Sequence, residues 1–147
     1  MRHGFFSLAV ALFLSPLALA ATPVDEFMLD NGMKVIVKAD HRAPVVVSQV
    51  WYKVGSSYEE AGATGLSHVL EHMMFKGTDA YGPGEFSRIV AELGGSQNAF
   101  TGRDYTAYFE TLSVRHLERA LELEADRMRN LKLDDAEFAK EIEVVKE

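Results

Sequence analysis

The sequence predicts an α+β fold, a two-layer sandwich of a mainly antiparallel sheet covered by helices. Three observations predict it. The elements read in the order two strands, a third strand, two helices, a strand and two more helices. Asp30-Asn31-Gly32 between two apolar runs is the strongest short signal for an antiparallel hairpin. From Glu85 the spacing Phe86, Ile89, Val90, Leu93 is a clean helical stripe, closed by Gly94-Gly95. No internal repeat or low-complexity linker interrupts this order.

Taken in turn, Phe27 to Leu29 and Met33 to Val37 are the two arms of the hairpin. Asp40 to Pro44 is a polar break. Val45 to Val54 is β-rich and almost wholly apolar, which predicts a central strand covered on both faces. Gly55 to Gly65 is a loop, and Leu66 to Lys76 is helical in composition. A second loop, Gly77 to Gly84, leads to the helix that ends at Gly94. Ser96 to Arg103 reads as irregular and polar, and Asp104 to Leu112 alternates like a strand. Ser113 is the expected N-cap of a helix running to about Asn130, with Leu117, Ala120, Leu121 and Met128 facing inward. Asp134 with Glu137 resembles a capping box for the last helix. Tyr105, Tyr108 and Phe109 are read as core aromatics, because large aromatics dominate core burial.

The chain has 147 residues, of which 48% are hydrophobic and 25% charged, a globular profile. Its formal charge of -7 comes from 15 basic and 22 acidic residues, with no basic stripe, so nucleic acid is not an expected partner. The charges after residue 109 recur at helical spacing and read as a solvated face. Arg2 and His3 precede an apolar run from Phe5 to Leu19, and Ala18-Leu19-Ala20 places small residues where signal peptidase reads. Residues 1–20 are therefore expected to be a signal peptide cleaved after Ala20, leaving a periplasmic or secreted protein without a stable membrane anchor. An uncleaved anchor is the alternative, and the run is short for a span. The sequence holds no Cys, which excludes a lipoprotein and a disulfide scaffold, and leaves any metal to His, carboxylate or water.

His68-Val69-Leu70-Glu71-His72 carries the chemistry. At about 100° per residue the two imidazoles lie about 40° apart on one helix face, with Glu71 beside them. Two imidazoles at this spacing can share one Zn²⁺, and a carboxylate that does not bind the metal can accept a proton from water activated by it. Two core histidines near a glutamate are the bland alternative, at an unrelieved desolvation cost. Glu141 falls in the middle of an apolar stripe made by Phe138, Ile142, Val144 and Val145, where a carboxylate is costly unless paired.

The stretch Gly65-Leu66-Ser67-His68-Val69-Leu70-Glu71-His72-Met73-Met74-Phe75-Lys76-Gly77-Thr78 resembles the metal helix of the pitrilysin/insulinase family of zinc peptidases. Gly94-Gly95-Ser96-Gln97-Asn98-Ala99-Phe100-Thr101 and Asp104-Tyr105-Thr106 resemble that family's next landmark. The likeness covers almost all of residues 21–147 and is nearest to short bacterial and processing-peptidase-like members. It implies the metallohydrolase domain of that type, holding one zinc ion. His68 and His72 are then zinc ligands, Glu71 is the general base, and Glu141 matches a functionally important glutamate grouped with it as catalytic. Asn98 and Ala99 are implied to lie by the substrate, whose backbone pairs with an exposed strand edge.

The family's third ligand lies seven residues after the Glu141 position, which is position 148. The expectation is thus a C-terminally truncated domain whose third ligand falls just past the chain end. Glu147 is a weak substitute, one residue short and out of helical phase. The implied function is a zinc metalloendopeptidase acting on exported peptides or unfolded proteins, with a second homologous domain or subunit as partner. The alternative is a non-catalytic family subunit that binds peptides or a catalytic partner. Intact His68, Glu71 and His72 argue against that alternative, and the expected truncation argues for it.

Overall fold

Asn31 and Gly32 make the first turn of the chain possible. Gly32 sits at φ +84°, a left-handed conformation that a Cβ would oppose, and its N–H donates to the Leu29 carbonyl at 2.9 Å. The Asn31 side chain accepts from the Met33 N–H at 3.0 Å. This turn joins β1 (Val24–Met28) to β2 (Lys34–Lys38) in an antiparallel ladder running from Val24↔Lys38 to Met28↔Lys34. The structure, a computed structural model, describes residues 23–146. The expected signal peptide and Glu147 lie outside the described residues. The described residues divide into two units, one ending at Arg42, which holds this hairpin, and one beginning at Ala43, which holds the remaining elements.

In the second unit, β3 (Val45–Tyr52), β4 (Ser96–Thr101) and β5 (Thr106–Ser113) form an antiparallel sheet in the order β3-β5-β4. The α+β sandwich is therefore observed, with a different centre from the one expected. β5, not β3, is the middle strand. β3 is an edge of this sheet, and its alternate residues Val45, Val47 and Trp51 are exposed, Trp51 at 54%. Their apolar character comes from a second apolar face, not from burial on both sides. Ser96 to Thr101, expected to be irregular, is a regular strand because all six residues pair with β5, from Ser96↔Thr111 to Thr101↔Thr106.

Register sorts the side chains. Val46, Val50 and Tyr52 of β3 align with Leu112, Tyr108 and Thr106 of β5, and Ala99 and Thr101 of β4 join them on the side that faces the helices. Against that side pack α1 (Leu66–Met73), α2 (Glu85–Glu92) and α3 (Leu117–Asn130), while α4 (Asp135–Lys146) packs on α1. Phe86 and Val90 of α2 meet Leu123 of α3 in the core, with Tyr81 and Ile89 alongside. Of the aromatics expected in the core, Tyr108 is buried. Tyr105 is exposed and stacks on Trp51, 5.1 Å between ring centroids.

The start and inner face of α3 also differ from expectation. A 3-10 turn over Val114–His116 precedes it, His116 takes the N-cap position, and Ser113 makes no side-chain cap. Leu121 and Met128 are exposed, and the buried residues are Ala120, Leu123, Glu124 and Arg127. The charges here are not all solvated. Arg127 is 2% exposed, its Nε donates to Glu124 at 3.2 Å, and its guanidinium lies 3.6 Å from Glu110 of β5. The same guanidinium covers the rings of Tyr108 at 4.4 Å and Phe86 at 4.5 Å. Asp134 caps the last helix as read, its carboxylate accepting from Ala136 N–H at 3.0 Å and Glu137 N–H at 3.1 Å, while the Glu137 side chain pairs with Lys140 and does not return the bond of a capping box.

Glu110 is 1% exposed, and neither of its carboxyl oxygens finds a donor as an ionised group. Burial, then the neighbouring Glu124, pushes its pKa up to about 9, with Arg127 opposing. Protonated, it can donate to Glu124 and leave one net carboxylate for Arg127. The folded chain thus holds a proton that the unfolded chain releases near 4.5, so stability is full below that value and is lost progressively towards pH 9. Urea unfolding of wild type should show this downward slope between pH 5 and 9, as the window from 4.5 to about 9 requires. Glu110→Gln should flatten it, and an equal slope in both would refute the assignment.

Candidate active site

α1 has only two turns, too few to persist alone in water. Its position is set from outside. The Glu59 carboxylate accepts from Gly65 N–H at 2.9 Å and Ser67 N–H at 2.8 Å, satisfying two of the orphan donors at the start of the helix. These two hydrogen bonds hold Glu59 below the usual carboxylate range. One side of α1 buries Val69 and Met73, which leaves His68 exposed and Glu71 and His72 half-buried. The desolvation argument from sequence therefore applies to Glu71 and His72 and not to His68.

The imidazoles converge. His68 Nε2 and His72 Nε2 face each other at 3.3 Å, with the rings at 81°. His72 Nδ1 lies 2.9 Å from Glu141 Oε2. Glu141 is 8% exposed and is the buried residue of α4. Lys76 forms an ion pair with its other oxygen, and Lys76 first, then His72, holds Glu141 below its ordinary pKa. An ionised carboxylate only accepts, so the His72 nitrogen that faces Glu141 carries a proton, and in the neutral imidazole Nε2 is left with a lone pair.

Two nitrogens each about 2.0–2.1 Å from a tetrahedral ion stand about 3.3–3.4 Å apart. The observed separation of 3.3 Å matches that bite, so the pair fits zinc as two of its ligands. Among the described residues no group of three His, Cys, Asp or Glu could complete a metal site.

Glu71 accepts a short hydrogen bond from Thr101 Oγ1, which carries it from α1 to the end of β4. A cavity of about 560 Å³ opens here, lined by Ser56, Glu59, His68, Glu71, Thr101 and Arg103 among others. Gly55 precedes the lining residue Ser56, and a Cβ there would stand 2.5 Å from the carbonyl oxygen of Gly102, another lining residue, so only glycine allows that close approach. The Ser56 N–H donates across it to Gly102 at 3.2 Å.

Asn98 and Ala99 lie on β4 with opposite orientations. Ala99 faces the helix layer, while Asn98 is exposed on the other side of the sheet, its Oδ1 accepting from the Ala99 N–H at 2.9 Å. Sequence reasoning gave no role to Thr101, Lys76 or Glu59. Lys76 was findable, since it follows His72 by four positions and can face the same partner. Glu59 and Thr101 carry no local signal, because each acts across a loop or from a separate strand.

A helix that aims two imidazoles at one point, beside a carboxylate and an open cavity, is the arrangement found in metallohydrolase sites. Residues 34–147 match the insulinase family, peptidase family M16, and the chain belongs to it. It is 42% identical over 120 residues to the zinc protease PqqE of Helicobacter pylori, covering 81% of this chain and 27% of that protein. It is 32% identical to a probable mitochondrial-processing peptidase subunit beta of Arabidopsis thaliana, over 80% of this chain and 22% of that one. Among solved structures, a protease from Helicobacter pylori superposes with a TM-score of 0.81 at 39% identity, covering 84% of this chain and 30% of the other. The chain thus spans less than a third of the length of each of these relatives. No helix among the described residues is long and apolar enough to cross a membrane.

Proposed function

We propose that this chain is the zinc-holding part of a metalloendopeptidase that hydrolyses peptide bonds of exported peptides or unfolded proteins. The convergence of the two Nε2 atoms at 3.3 Å beside Glu71 is the observation that carries this reading. His68 and His72 would hold the metal, one ion per domain. When bound, zinc supplies a Lewis acid for the scissile carbonyl and lowers the pKa of water towards about 7. Glu71 takes the proton of the attacking water and hands it to the leaving amine. Glu141, grouped with Glu71 as catalytic by the family resemblance, would act through His72, whose Nδ1 its carboxylate faces at 2.9 Å, as a positioning residue.

An extended substrate would pair with β4, which among the described residues is bonded only to β5, near Asn98 and Ala99. A second homologous domain or subunit would close over it. In this reading residues 1–20 direct export to the periplasm or beyond, and the mature protein starts at Ala21. A second reading, a non-catalytic subunit that binds peptides or a catalytic partner, draws on the lack of a third ligand among the described residues.

Zinc uptake separates the two. The full protein should bind zinc, His68→Ala and His72→Ala should each abolish tight binding, and Glu141→Gln should weaken it by about 10–100-fold. Equal uptake by wild type and both histidine variants would remove the metallopeptidase reading.

A further inference from the structure

We propose that Thr101 is a positioning residue that aims the Glu71 carboxylate into the cavity, acting on the reaction through Glu71 alone. This rests on the reading of Glu71 as the base. Thr101 is the last residue of β4, on the side facing the helices, and lines the same cavity as Glu71. Its hydroxyl donates to Glu71 Oε2, a link between residues 30 apart in sequence. A glutamate on a helix has three side-chain torsions, and this contact ties the far end of Glu71 to the sheet.

The hydroxyl is itself oriented. Thr101 pairs with Thr106 across the β4–β5 ladder, and their Oγ1 atoms are 3.3 Å apart. Thr106 gives its single proton to the Val54 carbonyl at 2.9 Å. Thr106 therefore offers Thr101 only lone pairs, and the Thr101 proton is the one available to Glu71. Because Oε2 is held by Thr101, the proton in transit from water to amine is carried on the other carboxyl oxygen, and Oε2 can go on accepting from Thr101. No heavy atom needs to move, so one side chain serves the carboxyl throughout its work.

The test compares wild type, Glu71→Gln, Thr101→Val and Thr101→Ser in the full protein, with kcat and KM on a quenched fluorescent peptide and zinc affinity by chelator competition. Thr101→Val should lower kcat by about 100-fold, the scale of a displaced catalytic group, and Thr101→Ser should restore most of it. KM and zinc affinity should stay within about twofold, since substrate and metal contacts are untouched. Wild-type kcat in Thr101→Val beside an inactive Glu71→Gln overturns the positioning role and leaves the base assignment standing. A fully active Glu71→Gln overturns the base assignment, and the positioning role with it. Should Thr101→Val fail to fold, the zinc-loaded crystal structure of Thr101→Ala decides. A displaced Glu71 carboxylate is expected, and an unmoved one refutes the proposal.

Discussion

Glu71→Gln is expected to lower kcat of the full protein by about 10²–10⁴-fold while zinc remains bound. The substitution keeps the shape of the side chain and an oxygen that can accept from Thr101, but removes the lone pair that would take a proton. The metal pair is not disturbed by it. His72 is oriented from α4 through Glu141, and the start of α1 is held by Glu59, neither of which involves Glu71. Rate should therefore fall without loss of metal, which a structural role for Glu71 could not produce. Steady-state kinetics with zinc quantified by atomic absorption reads both. Loss of zinc together with activity would mean that Glu71 is a ligand or a prop, not the base.

Arg127→Met should destabilise the fold by about 3–5 kcal/mol, the cost of breaking a buried ion pair from one side. Arg127 is 2% exposed, between Glu124 on its own helix and Glu110 on the middle strand, and it covers the Phe75, Phe86 and Tyr108 rings. Methionine fills much of the volume but leaves Glu124 buried without a cation. Against the usual domain stability of about 5–15 kcal/mol, this loss is large. Urea unfolding should show it. Adding Glu110→Gln and Glu124→Gln to Arg127→Met should recover most of it, because the penalty lies in the orphaned charge. A single-variant loss below about 1 kcal/mol would place the cluster among the weak, solvated pairs.

The parts of the fold written in local chemistry were legible. Asn31-Gly32 gave the hairpin, the His-x-x-Glu-His spacing gave the metal helix, and Asp134 marked the start of α4. Glu141 stood out because an acid amid Phe138, Ile142 and Val145 demands a partner, and the structure supplies His72 and Lys76. What stayed hidden depends on partners distant in the chain. β4 is polar and lacks β-branched residues until Thr101, so its strand character comes from pairing with β5 and not from its own preferences. β3 was misplaced because Val45, Val47 and Trp51 gave it two apolar faces, and periodicity does not tell a middle strand from an edge with a greasy outer side. In α3, choosing the apolar residues as the inner face put Leu121 and Met128 inside. The helix instead turns Glu124 and Arg127 inward, where they neutralise each other beside Glu110 of another element and Arg127 lies over the Phe75, Phe86 and Tyr108 rings.

The anchoring of α1 by Glu59 bears on what the cleft can select. A tally of side chains around the opening counts Glu59 and Glu71 as acids and suggests a welcome for lysine or arginine on an incoming peptide. Both Glu59 oxygens, however, are already occupied by backbone N–H groups. A basic side chain seeking that carboxylate would have to compete with the helix that presents His68. The mouth keeps the negative charge of Glu59, which those N–H groups hold ionised, but that charge is already engaged with the start of α1, and Arg103 is the cation that lines the opening.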